Sequence, residues 1–122
     1  MGWKFHILQE GVSSDQTVAN KAVRENLAAH GDDGSAVRHV LHYAYPETGA
    51  DLSLRPQMQA NLEARGFLVS DAASNDGFVL EHHRAVKGRD FDAFTEELDS
   101  WFAQRGWDYD GWECAIVEGG LN

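Results

Sequence analysis

Two stretches of the chain end alike, and that repetition constrains the fold more than any other feature. "LEARGFLVSD" closes one and "FAQRGWDYDG" closes the other, with Arg-Gly-aromatic at 65–67 and again at 105–107. "HVLHYA" (39–44) and "FVLEHH" (78–83) open the same two units, about forty residues apart. Each unit reads as strand, helix, strand. Strand character falls on "AVRHVLHYAY" (36–45), "FLVSDA" (67–72), "GFVLEHHRAV" (77–86) and "WDYDGWECAIV" (107–117). "ASNDG" (73–77) is a hairpin loop rich in turn residues. "PETGAD" (46–51) and "KGRD" (87–90) are loops that lead into helices.

Three segments read as helices. The first starts near Ser13, where Ser13 and Gln16 have capping-box spacing, and ends at Gly31; Val18, Ala22, Val23 and Leu27 fall on one side of it. The second runs from Ser53 or Pro56 to Arg65, with Leu54, Met58 and Leu62 spaced four apart and Gly66 as its stop. The third takes Asp90 as N-cap and stops at Gly106. Its Phe91, Phe94, Leu98, Trp101 and Phe102 make a wide apolar stripe, with acids on the opposite side.

A strand-helix-strand unit used twice gives β-α-β-β-α-β, an α+β chain of the ferredoxin-like pattern. Right-handed crossovers then put two helices on one face of a four-stranded antiparallel sheet, with the first and third strands central. The expected organisation is one domain over residues 1–122. Within it, 1–12 is an arm or edge strand, 13–31 an additional N-terminal helix, and 35–118 the ferredoxin-like core.

Charge narrows the function. Twenty acidic residues against ten basic give a formal −10. Residues 90–122 hold nine acids and one base, Arg105, for a net −8. Such a surface repels phosphates and anionic lipid, which disfavours direct nucleic-acid or membrane binding and favours a basic protein partner. The plain alternative is that the acids only keep the chain soluble. There is no 18-residue apolar run, and "MGWKFHILQEG" lacks the long apolar core and cleavage site of a signal peptide. A lone Cys114 excludes an internal disulfide and fits a reducing, cytoplasmic setting.

The candidate chemistry divides by strand face. His39 and His42 point to opposite faces, as do His82 and His83, so each face holds at most one His from each strand. Two imidazoles with Glu81 or Asp108 would make a metal site, but the spacing matches no metal motif. Hydrogen-bonded core histidines are the simpler reading. Cys114 lies in the apolar run "CAIV" and reads as a small hydrophobe. Asp108 and Asp110 stand at i and i+2, about 7 Å apart on one strand face, a spacing common on solvated strands as well as in glycosidases. "GDDGS" (31–35) carries acids where a phosphate loop needs amides and a Lys, so it reads as a helix cap and turn. Along the last strand, Trp107 and Tyr109 share one parity, and Trp112, Cys114 and Ile116 the other. A bulge at Gly111 would switch parity and turn both Tyr109 and Trp112 inward. Aromatics rimmed by acids also suit a protein interface.

Taken together, residues 15–118 resemble the regulators of ribonuclease activity B (RraB), the ribonuclease E inhibitor proteins. The resemblance runs through a helix closed by "GDDGS", the strand "VRHVLHYAY", a helix ending in "EARGFLVSD", a further strand and helix, and "YDGWE" at 109–113. It implies a ferredoxin-like domain without a cofactor that is not an enzyme. It also implies a protein that binds ribonuclease E and restrains RNA decay. The partner-binding residues expected on this chain are Asp108, Asp110 and Glu113, with Asp32 and Asp33 as a second patch and Trp112 as anchor or core. The competing readings are a stand-alone protein-binding or immunity-type module with another partner, and a His-based metal-binding protein. A homo-oligomer joined through "WKFHIL" is compatible with either.

Overall fold

The computed structural model describes residues 6–8 and 16–117. Its elements in chain order are β1 (His6–Leu8), α1 (Gln16–Ala29), β2 (Arg38–Pro46), a 3-10 turn (Leu52–Leu54), α2 (Arg55–Ala64), β3 (Leu68–Asp71), β4 (Phe78–Arg84), α3 (Arg89–Ala103) and β5 (Trp107–Ala115). The expected α+β class is borne out. One sheet carries the order β1-β5-β2-β4-β3, with every neighbouring pair antiparallel. β2 and β4 are central partners, as the repeat requires. His6–Leu8, part of "WKFHIL", is an edge strand whose Leu8 lies opposite Glu113. The expected cap at Ser13 lies outside the described residues.

The repeated Arg-Gly-aromatic has a local cause. Gly66 and Gly106 take φ of 99° and 77°, a region that favours glycine, and each reverses a helix into a strand. At the end of α2 the Gly66 amide bonds Glu63 and the Phe67 amide bonds Leu62, so Phe67 is turned into the core. Trp107 is turned inward in the same way after α3. α3 itself starts at Arg89 with Gly88 as cap, two residues before the expected cap Asp90.

All three helices lie on one side of the sheet. α2 and α3 cover a cluster that includes Met58, Leu62, Phe78, Leu80, Leu98, Phe102 and Trp107. α1 and the first turns of α3 cover a second cluster with Val23, Leu27, Val40, Phe91, Trp112 and Cys114. Phe94 packs against both. Ala22, expected on the apolar side of α1, is exposed; Asn20 takes an inward position in its place.

β5 serves both clusters because of a bulge. Tyr43 pairs with Gly111 and Ala44 with Tyr109, so Asp110 is the extra residue, and Gly111 has φ 107°. Simple alternation would send Trp107 and Tyr109 to one face and Trp112 and Cys114 to the other. The bulge resets the phase, and all four are buried. Beside it, the Tyr45 ring lies directly on the backbone of Gly77. A Cβ at 77 would come within 2.4 Å of that ring and 2.7 Å of the Ala44 carbonyl. Gly77→Ala is expected to cost about 1–3 kcal/mol by overpacking. An unchanged urea midpoint in that variant would contradict this packing.

Candidate functional site

The acids of β5 stay at the surface while its aromatics go inward. Asp108 stands opposite Tyr45 on the side of the sheet away from the helices, and Asp110 is exposed at the bulge. Glu113 is half-buried on the same outward side and accepts a hydrogen bond from the Tyr43 hydroxyl. Burial first, then that bond, raises the Tyr43 phenol well above its ordinary value, and the charge of Glu81 adds to the effect.

A fourth acid joins them from α3. Burial, and then the charge of Asp108, raises both Asp99 and Asp110 above the ordinary carboxylate value. Asp99 and Asp110 thus share one electrostatic neighbourhood with Asp108, whose negative charge disfavours theirs. Sequence reading did not single out Asp99. Its signal was the reversal at Gly106, which folds the end of α3 back beside the start of β5.

The second expected patch does not form. Asp32 is fully buried, with its carboxylate taken by a two-pronged pair with Arg38 and by the backbone amides of Gly34 (2.9 Å) and Val117 (2.8 Å). No partner can reach it. Asp33, its neighbour, is half-buried and its carboxyl is held down at about 2 by the Ser35 hydroxyl and amide, with Lys87 beyond. Trp112 is core rather than anchor: it is fully buried, and its indole N–H donates to Asn20 Oδ1 at 2.8 Å. Asn20 in turn donates to Thr95 Oγ1 (2.7 Å) and Asp92 Oδ1 (3.1 Å), and Arg24 closes the network on Asp92 at 2.9 and 3.2 Å. These polar groups bind α1 to α3 and β5.

The histidines split by face as alternation demands. His42 is fully buried under the helices; its Nδ1 meets the Tyr109 hydroxyl at 2.6 Å and its Nε2 meets His82 Nε2 at 2.8 Å. On the outward side, His39 bonds Glu81 at 2.7 Å and stacks on His83 with 5.0 Å between ring centroids. Among the described residues, no three His, Cys, Asp or Glu side chains are grouped to hold a metal ion. Burial pushes the Cys114 thiol up to about 12 against the pull of Arg38, so it stays protonated and is no nucleophile. A cleft between α2 and α3 encloses about 160 Å³, lined by Leu54, Gln57, Met58, Asn61, Trp101 and Arg105. Two more open clefts of about 360 and 310 Å³ flank the 73–77 loop, one lined in part by Glu47 and Asp76 and the other by Arg55, Asp71 and Asp76.

What the molecule presents is therefore an acidic α+β domain whose outward strand acids face solvent and whose inward histidines, Asn20, Asp32 and Asp92 are bonded, while the buried Trp107 indole N–H has no partner. Such a surface has the polar and aromatic make-up that protein partners use. The model of the family "Regulator of ribonuclease activity B" (RraB) matches residues 17–114, and the chain belongs to that family. No match was found among curated proteins. Among the described residues, no helix is long and apolar enough to cross a membrane.

Proposed function

We propose that this protein is a cytoplasmic, non-enzymatic regulator that acts by binding a basic protein partner, with ribonuclease E the named candidate and slower RNA decay the outcome. Membership of a family of ribonuclease regulators is the observation that carries the reading. The acid group of Asp108, Asp110 and Asp99, with Glu113 further along β5, supplies a surface for a basic segment. The unit β2-α2-β3-β4-α3-β5, with sheet order β5-β2-β4-β3, supports assigning it to the ferredoxin-like folds.

Capture of the ribonuclease from the same cell by the immobilised protein tests this. The wild type is expected to retain it, and Asp108→Lys/Asp110→Lys to weaken retention by about tenfold or more, since opposed charges become like charges. Added to the purified ribonuclease, the wild type should slow RNA cleavage and the double variant should not. No capture by the wild type, or equal capture by both, would overturn the proposal.

A further inference from the structure

The helices cover one side of the sheet, and the other side has its own pattern. Leu41 in the middle strand lies directly between Glu81 of β4 and Glu113 of β5. The two carboxylate-bearing residues are therefore two strand spacings apart, about 10 Å. The next row is apolar, with Tyr43 beside Val79, and the row after pairs Tyr45 with Asp108. These side chains are half-buried among themselves, while Leu68 on the edge strand is 65% exposed. No Lys or Arg occupies an outward position of β2, β4 or β5, because Arg38 and Arg84 both alternate inward. Every fixed charge on these three strands' outward side is negative.

We infer that this sheet face is the docking surface for a protein segment in which arginines alternate with apolar residues. The inference rests on the regulatory reading above and names where and how its partner is held. Charge complementarity selects the occupant. Glu81, which His39 bonds from one side, and Glu113 take two arginines, and Leu41, Tyr43 and Val79 take the apolar side chains between them. A second copy of this chain would set acids against acids. A nucleic acid would set phosphates against them. Tyr43 prepares the face for such a segment, because its hydroxyl already holds Glu113 and fixes that carboxylate beside the apolar row.

The test is a titration of a fluorescein-labelled peptide of alternating arginine and leucine against the full chain. A glutamate–leucine peptide serves as the control. The wild type should bind only the arginine peptide. Glu81→Lys should weaken it by about tenfold or more, while Glu63→Lys, an equal charge change on exposed α2, should leave it unaltered. In amide NMR spectra the resonances of residues 39–45 and 79–83 should shift on addition, with those of α2 unmoved. The Glu81 side chain is 27% exposed, and the urea midpoint of Glu81→Lys, compared with that of the wild type, checks that the variant folds. Equal affinity of Glu81→Lys and Glu63→Lys, no binding by the wild type, or shifts confined to the helices would overturn the inference. Ribonuclease capture run alongside separates the two claims. Capture unaffected by Glu81→Lys leaves the regulatory reading standing and removes the sheet face. Peptide binding lost in Glu81→Lys without any ribonuclease capture keeps the face and removes the named partner.

Discussion

Asp32→Ala is expected to lower the free energy of unfolding by about 3–5 kcal/mol, the cost of stripping one partner from a buried ion pair. Side-chain exposure is 1% for Arg38 and 0% for Asp32, so the guanidinium left behind would have no water to turn to. The damage would spread beyond the pair. Asp32 follows Gly31, where the Asp32 amide bonds back to Leu27 and closes α1. Its carboxylate then collects the start of β2 through Arg38 and the exit of β5 through the Val117 amide. Arg38 adds bonds to the carbonyls of Ala36 (3.1 Å) and Ala115 (3.2 Å). One carboxylate thus ties the end of α1 and the start of β2 to the exit of β5, 85 residues away in sequence. Burial works to raise its pKa, but the Arg38 bond and the two amides outweigh it and leave the carboxyl below the ordinary value. It stays ionised at neutral pH. The double variant Asp32→Leu/Arg38→Met removes both charges and should recover at least half the loss, because no orphan charge remains. Urea midpoints of the two single variants and the double measure this coupling. A midpoint for Asp32→Ala within about 1 kcal/mol of wild type would show that the pair does not hold the fold.

The contrast between Asp32 and Asp33 shows where sequence reading stops. Both follow a helix-ending glycine, and nothing local distinguishes the fully buried one from the partly exposed one. The difference is made by Arg38 and Val117, whose positions exist only after β2 and β5 have paired. Asn20, Asp92 and Thr95 escaped for a related reason. Periodicity counts apolar residues, so polar ones on α1 and α3 are assigned to solvent until a distant Trp112 supplies the bond that makes burial tolerable. The elements themselves were legible because their causes are local. Leu and Phe spacing marks α2 and α3, and the Arg-Gly reversals mark where each helix yields to a strand. The bulge was half legible: Gly111 announced it, yet the residue left unpaired is Asp110. Of the site, Asp108, Asp110 and Glu113 were readable as outward acids, whereas Asp99 and Glu81 needed the tertiary fold to bring them beside their neighbours.

Lowering the pH from 7 to 5 is expected to destabilise the protein by about 2–4 kcal/mol through His42 and His82, with His82's share reduced by its partial exposure. The geometry sets the cause. The two Nε2 atoms share one proton across 2.8 Å, so a second proton must break the bond, and Tyr109 closes the other end of the His42 ring. Phe67, Phe91 and Phe94 line the remaining sides. Burial, then the charges of His82 and Arg84, hold His42 well below 6.5; burial, then Arg84, His83 and His39, hold His82 at about 4. Among acids, Asp99 acts on Tyr109, next in this chain of bonds. Both folded values lie below the unfolded one. Below about 6.5 the unfolded chain therefore takes up protons that the folded chain refuses, and stability falls as pH drops toward 4. Above 6.5 this dependence vanishes. His82→Gln keeps a neutral donor and acceptor near the Nε2 position but cannot titrate. It should lose about 1 kcal/mol at pH 7 and show roughly half the wild-type decline between pH 7 and 5. Unfolding midpoints at the two pH values decide the matter. Equal declines in both proteins would mean that the buried pair does not control the acid limit.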